Sequence, residues 1–155
     1  GVYLRQVSPE RLLEAASPFL EGAGCDPDAL GRERVLAVLD ALRFNVETLA
    51  DAVPFLPVFF SPSVSFDPEA GALLKKAESR EVLEVFSRLL ARDGKGPYRE
   101  WAGGASKQTG KRGKALFLPL RAALTGRLSG PELDRVYDLL PLEVLQLRLA
   151  EALRT

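Results

Sequence analysis

Apolar residues in this chain recur at three- and four-residue intervals in nearly every segment, and no run alternates with a period of two long enough to demand a sheet. Prolines and glycines cut that periodic pattern into short pieces. Ser8 and Pro9 make an N-cap and first-turn pair ahead of Leu12, Leu13, Ala16, Phe19 and Leu20. After the EGAGCDPDALG break, Asp26 and Pro27 restart the pattern, which Val35, Leu36, Val38, Leu39 and Leu42 continue. Val46, Leu49, Ala50 and Val53 form a third piece, ended by Pro54 and Pro57 before the core pair Phe59 and Phe60. Pro68 opens a short helix. Ser79 to Leu90 is amphipathic, with Val82, Leu83, Phe86, Leu89 and Leu90 inward. Tyr98, Trp101, Ala102 and Ala105 share one face, which points to core for both aromatics. Gly103 and Gly104 weaken that helix by roughly 1 kcal/mol each relative to Ala. Pro119 is placed to start a helix that Gly126 stops. Pro131 and Pro141 open the last two, which turn Val136, Tyr137, Leu140, Leu145 and Leu149 inward. The expected fold is all-α, a helical bundle or cage of roughly eight or nine short helices in two subdomains.

A chain of 155 residues can bury a sizeable core, and 46% hydrophobic with 27% charged residues is a globular composition. No apolar run approaches the roughly 18 residues of a membrane span, and the N-terminus has no secretory pattern. The lone Cys25 cannot form an internal disulfide and lacks a partner that would activate it, so a reducing cytoplasm is expected. Histidine is absent, which removes imidazole acid–base chemistry and His-ligated metals. Asp26 and Asp28 fit helix caps better than metal ligands. No phosphate-cradling glycine loop and no nucleophile with a base partner occurs. A complete enzyme is therefore not expected, and the absence of methionine points to a piece of a longer protein.

The total charge is zero, but it is unevenly spread. Between Gly94 and Leu128, the eight cations Lys95, Arg99, Lys107, Lys111, Arg112, Lys114, Arg121 and Arg127 face one acid, Glu100. Such a local field concentrates phosphate-bearing ligands even around a neutral molecule. Because charge character changes at the DGKGP break, the expected subdomains are 1–93 and 94–155.

Within 107–133, three features converge. Lys107, Lys111, Arg112 and Lys114 sit in a glycine-containing loop suited to a sugar–phosphate backbone. Arg121, two residues after Pro119, falls in the first turn of a helix, where N-terminal amides add positive potential to a five-donor fork. The link from Gly126 through Arg127, Ser129 and Gly130 to Pro131 leaves a second helix start nearby. Single-stranded RNA loops are read by such surfaces. A solvated basic face on a helical protein–protein interaction domain accounts for the same charges, and both readings stand on these residues alone.

At KRGKALFLPLRAALTGRLSGPEL the chain resembles the C-terminal anticodon-binding region of bacterial glutamyl-tRNA synthetases, a class I aminoacyl-tRNA synthetase family. The family hallmark there is a Lys/Gly-rich turn followed by P-L-R-x-A-L-T-G-x-x-x-G-P-x-L. Tyr3-Leu4-Arg5 with Ser8-Pro9-Glu10, the Val46-Glu47-Thr48-Leu49-Ala50 segment, Phe59-Phe60 and the closing RVYDLLPLEVLQLRLAEAL resemble it in order, so the likeness covers essentially the whole chain. The resemblance implies an α-helical cage that grips the anticodon arm of tRNA, a monomer, and a ligase whose catalytic domain, with its ATP and magnesium, is absent here. No cofactor is expected in this piece. It further implies that Arg121 contacts an anticodon base, that Ser129, Gly130 and Leu133 border the anticodon, and that Lys107, Lys111, Arg112, Lys114 and Arg127 meet the backbone.

The chain departs from the family at one informative position. Family members that reject glutamine tRNA carry Arg four residues before the Leu of a T-L pair; here that residue is Asn45, with Arg43 two positions earlier. Asn is shorter, uncharged and both donor and acceptor. The expectation is relaxed discrimination, with glutamate tRNA and glutamine tRNA both accepted.

Overall fold

The computed structural model describes residues 8–22, 31–42, 55–61 and 63–155. Asn45, Arg43, Cys25, the Asp26/Asp28 pair and the expected helix at 46–53 lie outside the described residues. Nine α-helices and no strand occur among those described: α1 (Pro9–Gly22), α2 (Arg32–Leu42), α3 (Leu56–Phe60), α4 (Pro68–Leu74), α5 (Ala77–Asp93), α6 (Tyr98–Thr109), α7 (Lys114–Thr125), α8 (Leu133–Leu139) and α9 (Leu142–Leu153). The all-α expectation holds.

The chain divides into two compact units, Gly1–Ser61 and Pro62–Thr155. In the first, Ser8 Oγ accepts the Arg11 N–H at 3.4 Å, as its reading as a cap requires. α1 packs on α2, and Val35, Val38, Leu39 and Leu42 are buried. Arg34 donates to the carbonyl of Phe59 at 2.7 Å and lies 5.5 Å over the Phe60 ring, which ties α2 to α3.

The expected boundary at Gly94 falls inside the second unit. Charge changes character there, but α5 continues the packing without interruption against α6, α7 and α9. The DGKGP turn is a structural corner. Trp101 Nε1 donates to the Gly94 carbonyl at 3.0 Å, and the Tyr137 hydroxyl donates to the Gly96 carbonyl. Lys95 Nζ donates to the carbonyls of Asp138 and Leu140 at 2.9 and 2.7 Å, closing the end of α8.

α7 is the hub of this unit. It packs against α4, α5 and α9 and touches α6 and α8. Leu116, Leu120, Ala122, Ala123, Leu124 and Thr125 are buried, and each fully buried Leu contributes about 1.5–3 kcal/mol. The helix starts at Lys114, five residues before Pro119, so Pro119 does not open it. Gly113, at φ 57°, is the N-cap and supplies the first carbonyl, accepting from Leu116 and Phe117. Pro119 is thus an interior proline, whose missing N–H leaves the carbonyl of exposed Ala115 without its helical donor. Likewise α8 begins at Leu133, with Glu132 rather than Pro131 before it. α9 carries Arg148 inward with Leu145, Leu149 and Ala152.

Candidate nucleic-acid interface

The basic segment folds into a helix, a pinned turn and a second helix. α6 ends at Gly110 in the left-handed region, φ 74°. Ser106 Oγ donates to the Lys111 carbonyl at 2.7 Å and Thr109 Oγ1 accepts the Lys111 N–H at 3.2 Å. Of the four cations expected in one loop, Lys107 therefore stands on α6 and Lys114 starts α7, while only Lys111 and Arg112 occupy the turn. Lys107, Arg112 and Lys114 are exposed. Lys111 is not: its side chain is 18% exposed and its ammonium lies 3.5 Å from the Glu81 carboxylate. Lys111 and Lys114 line a cavity of about 300 Å³ with Lys76 and Glu78.

Arg121 lies in the second half of α7, so helix-terminal amides do not reinforce its charge. Its position is instead set by the turn that follows. Nη1 donates to the Pro131 carbonyl at 2.7 Å, which orients the planar fork and leaves its other donors to a ligand. Burial pulls the Arg121 pKa below the usual arginine value, opposed by neighbouring Tyr98; arginine at such a site stays charged. The turn itself is fixed by Thr125, whose hydroxyl donates to the Arg121 carbonyl at 2.7 Å and accepts the Arg127 N–H at 3.1 Å.

Arg121 lines a cleft of about 700 Å³ between α6, α7 and α8. Leu133 lines the same cleft. Ser129 is exposed in the turn after α7, Gly130 is half-buried at φ 136°, and Arg127 is half-buried beside them. None of those three lines the cleft.

Three features of this site escaped sequence reasoning. Phe117, one turn before Arg121, lines the cleft and is 45% exposed. Tyr98 lines it too, packed at 5.5 Å between ring centroids against Tyr137, and its buried hydroxyl has no hydrogen-bond partner. Burial, with Asp134 next in effect, pushes the Tyr98 pKa up to about 12, so its phenol is neutral. Arg148, wholly buried, donates from Nη1 to the Leu124 carbonyl at 2.7 Å and closes α7 beneath the site. Its spacing with Leu145, Leu149 and Ala152 places it on the inward face, a signal present in the sequence.

Comparison with known proteins gives this geometry a family. Glutamate–tRNA ligase 2 of Syntrophus aciditrophicus is 33% identical over 157 residues, and the glutamate–tRNA ligase of Moorella thermoacetica is 34% identical over 167. Each match covers 99% of this chain but only 32% and 33% of those proteins, so the chain spans about a third of their length. The same architecture occurs in a solved glutamate tRNA ligase from Elizabethkingia meningosepticum, at a TM-score of 0.80 and 19% identity over 99% of this chain and 30% of that one. The anticodon binding domain family, defined by its sequence profile, matches residues 11–153, and the chain belongs to that family.

Proposed function

We propose that this chain is the anticodon-arm recognition module of a glutamate–tRNA ligase, which positions tRNA while a catalytic portion outside these residues, using ATP and magnesium, joins glutamate to it. Glutamate tRNA is its partner and Asn45 extends acceptance to glutamine tRNA. The module acts as a monomer in the cytoplasm; no helix among the described residues is long and apolar enough to cross a membrane. The observation that carries this reading is the Arg121 guanidinium, anchored on Pro131 at the wall of an open cleft in a segment rich in exposed cations. One group of donors is held for a specific ligand atom, while Lys107, Arg112 and Lys114 add a sequence-independent pull on phosphates. Ser129 and Gly130 shape the turn that holds Pro131, and Arg127 lies in the same turn.

Titration of the chain with glutamate tRNA at two salt concentrations tests the proposal. Binding that weakens with salt is expected, and Arg121→Ala should weaken it roughly ten- to hundredfold, the value of a hydrogen bond to a charged group. No tRNA binding at low salt leaves the protein–protein interaction reading in possession of the basic face. Charging by the whole enzyme tests the Asn45 reading: both tRNAs charged, with glutamine tRNA lost in Asn45→Arg, supports it.

A further inference from the structure

Two residues in the Arg121 cleft have no explanation within the fold. On α7, Leu116, Leu120 and Leu124 are buried, yet the larger Phe117 is left 45% exposed at the cleft. On α6, Gly103 lines the same cleft in helical backbone, where glycine is unfavourable. A Cβ on Gly103 would meet nothing within 4 Å, whereas one on its neighbour Gly104 would lie 3.1 Å from Leu89 Cδ1. Packing accounts for Gly104 and leaves Gly103 unaccounted for. Charge in the cleft is mixed: Arg99 and Arg121 are matched by Asp134 and Asp138. That balance does not favour a phosphate. It suits a neutral flat ring whose edge carries both donors and acceptors, as a nucleobase does.

We infer that the cleft is a slot for one unstacked base of an RNA loop, in which Phe117 is the stacking ledge and Gly103 keeps the facing helix clear for close approach. This rests on the RNA-binding reading above and adds specificity-determining residues to it. An aromatic face accepts any base, so Phe117 supplies affinity, while Arg121 and the two carboxylates discriminate by hydrogen bonding.

The test titrates the 155-residue chain with an anticodon stem-loop RNA of glutamate tRNA that carries a stacking-sensitive fluorescent base analogue at each loop position in turn. The native chain should quench the analogue at one position. Phe117→Ala should abolish that quench and weaken binding about tenfold, as loss of one base–aromatic stack does, while Phe117→Trp retains both. Gly103→Ala and Gly103→Gln should raise the thermal midpoint, through better helix propensity, and yet weaken binding. Unchanged affinity and quench in Phe117→Ala overturns the ledge, and tight binding by Gly103→Gln overturns the slot. A native chain that binds no stem-loop at low salt removes the RNA reading itself, and this inference with it.

Discussion

A Cβ placed on Gly126 would lie 2.0 Å from the carbonyl oxygen of Ser65. The contact joins the end of α7 to the segment entering α4, and the Asp67 N–H donates to the Gly126 carbonyl at 2.8 Å across the same junction. Gly126 also ends α7 in the left-handed region, φ 77°, with its N–H on the Ala122 carbonyl. Two independent demands meet at this residue: a backbone angle that costs other residues about 1 kcal/mol, and space that backbone atoms occupy.

Gly126→Ala is therefore expected to destabilise the second unit by about 3 kcal/mol or more, beyond what the angle alone costs. Urea unfolding of the two proteins measures it. A loss no larger than about 1 kcal/mol would show that the Ser65 segment can move away freely.

Much of this was legible in the sequence, for reasons that differ by residue. Helical periodicity found the buried faces of α2, α5, α8 and α9 because each must turn apolar side chains to the core of its own unit. Ser8 and Gly126 were legible because caps are local chemistry. Pro119 misled because the first turn is the usual place for proline, whereas here Gly113 had already started the helix. Charge puts a boundary at Gly94 whereas packing groups Pro62–Thr155 into one compact unit, because charge marks surfaces while packing decides units. Phe117 was illegible in another way: an aromatic between Leu116 and Leu118 reads as core, and only the three-dimensional packing of α6, α7 and α8 leaves it in the cleft.

The cations separate by what already holds them. Arg112 and Lys114 are exposed, and replacing either with Gln should lower the slope of log affinity against log salt by about 1. Lys111→Gln should change that slope less, because its ammonium already faces Glu81 at 3.5 Å. Titrations of the three variants with glutamate tRNA over a salt series decide it. Equal slopes for all three would mean that tRNA displaces Glu81 from Lys111.

Arg148 should be irreplaceable by lysine. The guanidinium is wholly buried and donates to the Leu124 carbonyl. Lysine carries one compact ammonium instead of a planar fork, and alanine leaves both a cavity and an unpaired carbonyl. Arg148→Ala is expected to cost about 3–5 kcal/mol and Arg148→Lys a large share of that, measured by chemical unfolding. Near-native stability in Arg148→Lys would show that charge alone, not the fork, closes α7.

Tyr98 and Tyr137 pack with their rings tilted at 53° to each other, yet their hydroxyls have opposite fates. Tyr137 donates to the Gly96 carbonyl, while the Tyr98 hydroxyl is buried without a partner. Tyr137→Phe should cost about 1 kcal/mol, whereas Tyr98→Phe should be neutral or stabilising by a similar amount. Burial first, then a nearby aspartate, pushes both phenols from the ordinary 10.0 up to about 12. A raised folded-state pKa means that the unfolded chain gives up these protons first. Their contribution is thus fully present below pH 10.0 and is lost as pH rises towards about 12. Unfolding free energies measured across that window should fall less steeply in Tyr98→Phe than in the native chain. An identical fall in both proteins would mean that the Tyr98 phenol ionises in the cleft as readily as in water, against its burial beside Tyr137 and Phe86.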